Sequence, residues 1–305
     1  MENNLVSKIL QLKKQRQAVI LAHNYQIPEV QDIADFVGDS LGLSQQAAQT
    51  KAKVIVFCGV YFMAETASIL SPDKTVLIPD PKSDCPMAKM ITATQLRALK
   101  KKHPKAIVVC YVNTTAEVKA ESDICCTSAN AAKVVQSISP KNEIIFVPDK
   151  HLGHYTATQT KRDLILWPGY CPTHVKILPE HIKALKKKYP KAEVMVHPEC
   201  LTETTLQADK ILSTSGMLKY AKESKTKEFI VGTEIGLLHT LRKENPDKQF
   251  YPATETATCP NMKRNTLEKV LWALEEMKYE VKVPEAIRIK AKKTVDRMLD
   301  IGRSD

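Results

Sequence analysis

The stretch KKHPKAIVVCYVN at residues 101–113 decides the fold, because related stretches occur at two other places in the chain. Residues 187–199 read KKYPKAEVMVHPE, and residues 13–25 read KKQRQAVILAHNY. In each copy a basic segment precedes an apolar run, and polar or aromatic residues follow it. Recurrence of this kind at a fixed period is typical of a repeated structural unit. We therefore expect three copies of one unit.

A cysteine followed by proline marks each unit. Cys171 lies 86 residues after Cys85, and Cys259 lies 88 residues after Cys171. Hydroxyl side chains also recur once per unit, namely Ser40, Thr127 with Ser128, and Thr214 with Ser215. So many features at one period indicate a triplicated architecture.

Short runs of valine and isoleucine alternate with longer helical stretches inside a unit. In the first unit, residues 19–21, 54–57 and 76–78 are predicted strands, and residues 30–50 and 62–70 are predicted to be helical. Apolar runs without polar alternation suit buried parallel strands, and their alternation with helices indicates α/β layers. The fold class is therefore α/β, built from three α/β/α sandwich units with short parallel sheets.

The repeat also predicts where the units begin and end. Residues 1–92 with 260–305 form the first unit, 93–178 the second and 179–259 the third. Ligand sites of parallel sheets lie beyond the carboxyl ends of the strands, where the polar residues and cysteines fall. A pseudo-threefold arrangement would bring them together at the central junction.

The charge of the chain does not favour nucleic acid as a partner. Its formal net charge is +11. Much of the excess lies in segments such as Lys100–Lys102 and Lys186–Lys188, which are predicted helix endings where cations complement the helix dipole. The sequence shows no aromatic interleaving and no known nucleic-acid-binding pattern.

The sequence also argues against a membrane protein. No stretch approaches the roughly 20 apolar residues that a membrane span needs. The segment Met1-Glu2-Asn3-Asn4 lacks the basic and apolar regions of a signal peptide. We expect a cytoplasmic protein whose thiols stay reduced and serve as metal ligands or small apolar groups.

Cys85, Cys171 and Cys259 are the candidate metal ligands. A single buried cysteine is more often structural, but three at equivalent positions favour ligation of one iron–sulfur cluster. Zinc is less favoured, because zinc sites draw on local pairs such as C-x₂-C and the chain has none. Three ligands to a [4Fe–4S] cluster would leave one iron open as a Lewis acid.

The polar residues around the cysteines predict proton-transfer chemistry on a small anion. The hydroxyl clusters are typical of helix N-caps, and converging helix N-termini also bind carboxylate or phosphate. The strand ends supply acids, bases and hydrogen-bond donors. The candidates there are His23, Tyr25, Tyr111, Asn113, His197 and Glu199. The residues alone predict a dehydratase or a condensing lyase.

At these positions the chain resembles the quinolinate synthase family over residues 20–284. The resemblance rests on residues 21–26 (LAHNYQ), 38–40 (GDS), 62–65 (FMAE), 111–113 (YVN), 125–130 (CCTSAN), 197–200 (HPEC), 232–236 (GTEIG) and 261–263 (NMK). It implies an enzyme of NAD biosynthesis that condenses iminoaspartate with dihydroxyacetone phosphate, losing phosphate and water to give quinolinate. It also implies a [4Fe–4S] cluster on Cys85, Cys171 and Cys259.

The resemblance assigns roles to the remaining candidates. Tyr25, Tyr111, Asn113, His197 and Glu199 would handle protons and orientation. Carboxylate or phosphate groups would bind Ser40, Ser128, Thr214 and Ser215, while His23 and Met262 would line the cavity. An aspartate-oxidising enzyme is the expected partner, since it would supply iminoaspartate.

Three other interpretations remain open on the sequence. A diphthamide-type cluster transferase also takes one cysteine from each of three domains, but it gives no reason for the His-Asn-Tyr and Tyr-Val-Asn patterns. A generic [4Fe–4S] dicarboxylate dehydratase fits the residues alone. A basic metal-binding or nucleic-acid-binding protein would be the non-enzymatic alternative.

Overall fold

Three four-stranded parallel sheets with flanking helices form the computed structural model, which describes residues 2–304. The elements of the first sheet region are α1 (Glu2–Gln15), β1 (Ala18–His23), α2 (Pro28–Ile33), β2 (Phe36–Gly38), α3 (Ser40–Gln49), β3 (Val54–Cys58), α4 (Tyr61–Leu70) and β4 (Thr75–Leu77). Those of the second are α5 (Ala93–Lys102), β5 (Ile107–Tyr111), α6 (Ala116–Ala120), β6 (Ile124–Cys126), α7 (Ala131–Gln136), β7 (Ile144–Val147), α8 (Lys150–Thr160) and β8 (Ile165–Leu166).

The third sheet region repeats the same alternation of helix and strand. Its elements are α9 (Pro179–Lys188), β9 (Glu193–Val196), α10 (Thr202–Thr205), β10 (Lys210–Ile211), α11 (Thr214–Glu223), β11 (Glu228–Gly232), α12 (Leu237–Glu244) and β12 (Gln249–Pro252). Two further helices follow, α13 (Leu267–Glu276) and α14 (Glu285–Ile301).

The strand order is the same in all three sheets. The orders are β2-β1-β3-β4, β6-β5-β7-β8 and β10-β9-β11-β12, with every pairing between these strands parallel. Each first strand therefore lies between the second and third, at the point where the winding of the chain reverses. Ligand sites of open parallel sheets lie at this switch point. The predicted fold class is confirmed.

One secondary-structure prediction was wrong. Residues 30–50 were expected to be helical, but β2 divides them into α2 and α3. Phe36 and Val37 pair with Leu21 and Ala22 of β1, so hydrogen bonding to the neighbouring strand prevails over continued helix. Asp39 then begins the next helix by accepting a hydrogen bond from the Gly42 N–H.

The basic segments lie where the sequence predicts. Lys100–Lys102 and Lys186–Lys188 form the last turns of α5 and α9, where their charges complement the exposed carbonyl groups. Thr92 and Gln95 form a reciprocal capping box at the start of α5. The repeated sequence therefore sets both ends of equivalent helices.

The last two helices pack against different sheet regions. α13 lies on α1 and β3, whereas α14 lies on α6 and β6 and also reaches α4. The boundaries at residues 92, 178 and 259, with residues 260–305 assigned to the first unit, stay a prediction. Within residues 2–304, none of the helices has the length and apolar character needed to cross a bilayer.

Candidate active site

A cavity of about 200 Å³ lies where the carboxyl ends of the three sheets converge. His23 ends β1, Tyr111 ends β5 and His197 directly follows β9, so the first strand of each sheet delivers one wall residue. Every predicted site residue except Ser215 lines this cavity. The lining members of that set are His23, Tyr25, Ser40, Cys85, Tyr111, Asn113, Ser128, Cys171, His197, Glu199, Thr214, Cys259 and Met262.

The three cysteine loops share one backbone geometry. Each sulfur accepts hydrogen bonds from the two amide N–H groups located two and three residues further along the chain. These donors are Met87 and Ala88 for Cys85, Thr173 and His174 for Cys171, and Asn261 and Met262 for Cys259. A short 3₁₀ turn follows each cysteine, at Met87–Lys89, His174–Lys176 and Met262–Arg264. N–H donors to sulfur stabilise the thiolate form that binds metal.

A carboxylate also holds the main chain of each cysteine. The Cys85 N–H donates to Asp84 Oδ1 at 2.8 Å, and the Cys259 N–H donates to Glu234 Oε1 at 2.9 Å. Asp149 lies beside the Cys171 main chain, and its Oδ1 accepts from the N–H groups of His151 and Leu152 at 2.8 Å. Asp149 and Glu234 are fully buried, so these bonds fix the loops within the interior.

The donor set fits an iron–sulfur cluster. Burial raises the pKa of Cys85 to about 12, with a further contribution from Cys259, and burial likewise raises the pKa of Cys171, to which Cys85 contributes. All three thiols line the same cavity. Three cysteine sulfurs with N–H donors on one cavity are the ligand chemistry of such clusters.

A histidine that the sequence left without a role joins Cys171. His174 Nδ1 lies 3.1 Å from Cys171 Sγ and 2.7 Å from Glu199 Oε2. One ligand atom from each of these three residues lies within 4.8 Å of the other two, a spacing that suits a single metal ion. The cavity therefore presents metal-binding groups beyond the three cysteines.

Glu199 is the centre of the polar network. Tyr111 Oη donates to Glu199 Oε1 at 2.6 Å, and His197 Nδ1 lies 3.8 Å from Glu199 Oε2. Burial disfavours its ionised form, but His174, His197 and Tyr111 outweigh burial and lower the pKa of Glu199 to about 2. Glu199 is therefore an oriented carboxylate at neutral pH.

Two histidines and two tyrosines of the cavity are held neutral. Burial lowers the pKa of His197 to about 3 and that of His23 to about 4. Burial and the Glu199 charge raise the pKa of Tyr25 and of Tyr111 well above the usual value. The site thus combines a carboxylate acceptor, neutral imidazoles and phenol donors, as general acid–base chemistry requires.

Tyr25 lies on a second hydrogen-bonded chain. Its Oη is 2.7 Å from Thr233 Oγ1 and 3.3 Å from His174 Nε2, and these two partners are 2.9 Å apart. Lys263 Nζ donates to the Tyr25 carbonyl oxygen and pairs with Glu234. The main chain of Tyr25 and that of Cys259 are therefore tied to the same buried carboxylate.

The hydroxyl clusters lie at the helix starts but not at the cap positions expected. The N-caps of α3 and α11 are Asp39 and Ser213, which makes Ser40 and Thr214 the first helical residues. Asn130, not Ser128, precedes α7. The expected capping role was wrong for these residues: at α3 and α11 the preceding side chain accepts the amide hydrogen, and α7 begins two residues after Ser128 without a side-chain cap.

Hydroxyls that do not cap a helix, and one amide, therefore line the cavity. Ser128 Oγ lies 3.2 Å from His197 Nε2, and Thr214 Oγ1 accepts from Asn24 Nδ2 at 2.8 Å. Asn113 Oδ1 is buried and has no hydrogen-bond partner among residues 2–304. A buried polar atom without a partner at a cavity wall indicates a site for a polar ligand.

The comparisons with known proteins agree with this geometry. The model of the family NadA, described as quinolinate synthetase A protein, matches residues 7–300. The chain belongs to the NadA family. Relatives named quinolinate synthase include those of Dehalococcoides mccartyi strain CBDB1, at 58% identity over 99% of this chain and 100% of the relative, and of Methanosarcina barkeri, at 55% over 97% of each. The relative from Thermodesulfovibrio yellowstonii is 56% identical over 99% of each chain.

This NadA-family cavity includes residues that the sequence interpretation did not assign. His174 lies three residues after Cys171, a position that Ala88 and Met262 occupy in the other two loops. Alignment of the three cysteine loops could have singled it out as the polar member. Asp39 and Thr233 belong to the quoted stretches 38–40 and 232–236, but only the structure shows their contacts.

Ser215 is the predicted member that lies outside the cavity lining. Its hydroxyl bonds to Asp39, which does line the cavity. The roles assigned to all fourteen predicted residues stay predictions, which the proposals below develop.

Proposed function

We propose that this chain is a quinolinate synthase. It condenses iminoaspartate with dihydroxyacetone phosphate, and the loss of phosphate and water closes the pyridine ring of quinolinate for NAD biosynthesis. The observation that carries the proposal is the convergence of Cys85, Cys171 and Cys259 from three sheet regions on one polar cavity. Membership of the NadA family supports it.

Cys85, Cys171 and Cys259 would hold a [4Fe–4S] cluster. When bound, the cluster supplies a Lewis-acidic iron that polarises substrate oxygens and eases loss of water. His174 and Glu199, beside Cys171, would be the polar neighbours of a cluster held there.

Proton transfer falls to the residues around Glu199. Its carboxylate accepts a proton from a carbon or hydroxyl group of the substrate, since its low pKa keeps it ionised. Tyr25 and Tyr111, whose pKa values are raised, keep their protons; Tyr25 donates a hydrogen bond to a developing oxyanion, and Tyr111 donates to Glu199 and orients it. His197 is neutral and relays a proton through Ser128.

The carboxylate and phosphate groups of the substrates bind at the hydroxyl clusters. Ser40 and Thr214 lie in the first turns of α3 and α11, where free amide hydrogens favour anions. Ser128 supplies a hydroxyl from the second sheet region, and Asn113 offers its free amide oxygen to the substrate imine or hydroxyl. His23 and Met262 complete the walls, with Ser215 supporting Asp39 behind them.

We place the activity in the cytoplasm, where reducing conditions keep the three thiols available for metal. Iminoaspartate hydrolyses in water, so an aspartate-oxidising enzyme acting nearby would be its source. No contact with that enzyme is assigned to any surface of this chain.

The first test is anaerobic purification followed by iron, sulfide and quinolinate assays. We expect about four iron and four sulfide per chain and quinolinate formation from the two substrates. Cys85→Ser, Cys171→Ser and Cys259→Ser should each lose cluster and activity, whereas Cys58→Ala, a buried strand thiol outside the cavity, should keep both. Zinc, or full activity in any of the three serine variants, would contradict the proposal.

A further inference from the structure

The segment after α14, residues 302–304, contacts residues next to the hydroxyl cluster of every sheet region. The main-chain N–H and the side chain of Ser304 both donate to the Ala129 carbonyl oxygen, next to Ser128. Asn130 Nδ2 donates to the Gly302 carbonyl oxygen at 3.1 Å. Residues 302–304 are thereby fixed against the second cluster.

Arg303 reaches from there to the first cluster. Its two terminal nitrogens lie 3.1 and 2.8 Å from the two carboxylate oxygens of Asp39. A bidentate guanidinium–carboxylate pair is among the strongest and most directional contacts in proteins. Because Asp39 caps α3, this pair also fixes Ser40, the next residue along the chain.

The same guanidinium touches the third cluster. Arg303 Nη2 lies 3.4 Å from Ser213 Oγ, which caps α11 by accepting from the Gly216 N–H at 3.1 Å. The Ser215 hydroxyl donates to Asp39. Asp39 and Arg303 therefore join the first turns of α3 and α11, which present Ser40 and Thr214 to the cavity.

A negative charge on Asp39 is unexpected at the wall of this cavity. Its side chain is buried and lines a cavity that we expect to bind anions. Burial alone would raise the pKa of this carboxyl, yet Arg303 holds it below its usual value, so Asp39 carries a negative charge. Without a counter-charge, that carboxylate would repel a bound carboxylate or phosphate.

We propose that Arg303 is a positioning residue for anionic substrate. It neutralises Asp39 and holds the hydroxyls of Ser40 and Thr214 at a fixed separation, so that the anion meets hydrogen-bond donors and not a net negative wall. This inference rests on the proposed function for the identity of the anion, but its geometry does not depend on that identity.

The experiment compares four variants with the wild type after anaerobic reconstitution. They are Arg303→Ala, Arg303→Lys, and Asp39→Asn combined with Arg303→Ala. The fourth is the control Arg297→Ala, whose side chain lies on α14, just before residues 302–304, and donates to the Asp123 carbonyl oxygen. Succinate serves as a dicarboxylate probe in isothermal titration calorimetry. Steady-state kinetics of quinolinate formation and the melting temperature are measured in parallel.

Arg303→Ala should weaken succinate binding and raise KM about tenfold, with kcat changed by no more than about twofold. Arg303→Lys should recover part of the affinity, since lysine keeps the positive charge but not the paired N–H donors of the guanidinium. The double variant should recover most of it, because asparagine still caps α3 and carries no charge. Arg297→Ala should behave like the wild type.

Two results would overturn the proposal. One is unchanged succinate affinity and KM in Arg303→Ala. The other is a double variant no better than Arg303→Ala, which would mean that the loss comes from displacement of residues 302–304 and not from the exposed charge of Asp39. A wild type that binds succinate with the expected variant pattern but forms no quinolinate would refute the proposed function and leave the role of Arg303 standing.

Discussion

The two oxygens of Glu199 have different partners, and this division sets what the residue can do. Oε1 accepts from Tyr111, while Oε2 faces His174. A carboxylate held on both sides cannot rotate freely, so its remaining lone pairs point in a fixed direction. In the proposed reaction this gives one oriented base beside two phenols that keep their protons.

Tyr25→Phe tests the phenol that contacts Thr233 and His174. The variant removes a donor to a developing oxyanion while leaving the three cysteines in place, so turnover should fall by about 10- to 100-fold. Iron and sulfide content should stay at the wild-type level. The control is Tyr279→Phe, an exposed tyrosine outside the cavity lining. An unchanged turnover number would remove Tyr25 from the catalytic residues.

At the scale of single residues, the sequence predicts which residue types occur in the site better than it predicts which residues they contact. The period of the repeat singled out the cysteines and the residues at the strand ends, because both recur in every copy. His174 recurs in no copy, so a repeat-based argument passed over it. Its contacts with Tyr25, Cys171 and Glu199 depend on three loops meeting in space.

Among the elements, β2 shows where local sequence is insufficient. Phe36-Val37-Gly38 is too short to stand out between two helical stretches. It becomes a strand because β1 offers unpaired backbone groups at its edge. The long apolar runs at β1, β3 and β5 needed no such context, since each is buried along most or all of its length.

The contact between α4 and α6 carries a titratable group. Glu65 of α4 accepts from the Ala116 N–H of α6 at 3.2 Å. Burial raises the pKa of Glu65 to about 7, with Glu117 and Asp84 adding to the effect and Lys119 opposing it. The folded protein therefore keeps this proton up to about pH 7, whereas the unfolded chain releases it near the ordinary value.

Stability should consequently fall as pH rises from about 4.5 to 7, by about 3 kcal/mol from this group. Glu65→Gln removes the ionisation, so the variant should melt higher than the wild type at pH 8 and at a similar temperature at pH 5. Glu29→Gln, an exposed carboxylate on α2, is the matched control. Equal melting temperatures of Glu65→Gln and wild type at both pH values would contradict the expectation.

At the scale of the whole molecule, residues of all three sheet regions line the cavity. The largest apolar core runs through strands and helices of all three regions, while a second core joins α1 and α13 to the first sheet. The three cysteine loops then meet at the junction of these packed bodies. Metal bound there would link the three sheet regions to one another in addition to its role in the proposed reaction.

Loading the cluster should therefore stabilise the folded chain. A ligand that binds the folded state and not the unfolded one raises the melting temperature, and we expect a gain of about 5 °C or more over the metal-free protein. Differential scanning calorimetry under anaerobic conditions would measure it. The Cys171→Ser variant should show little gain after the same reconstitution. A wild type that melts at one temperature with and without cluster would show that the regions are held by packing alone.

The three cysteine loops have similar backbones, but their side chains differ. This difference affects how two small molecules would be oriented in the cavity. Three residues past each cysteine the chain carries Ala88, His174 and Met262, so only one corner of a threefold frame is polar at that place. Glu199 contacts His174 at that corner, while Met87 and Phe62 are among the apolar residues that line the cavity. Two small molecules that enter such a frame meet unlike surroundings at their two ends. A triplicated scaffold, similar in the main chain of its three loops, can thereby favour one orientation of two substrates in the proposed reaction.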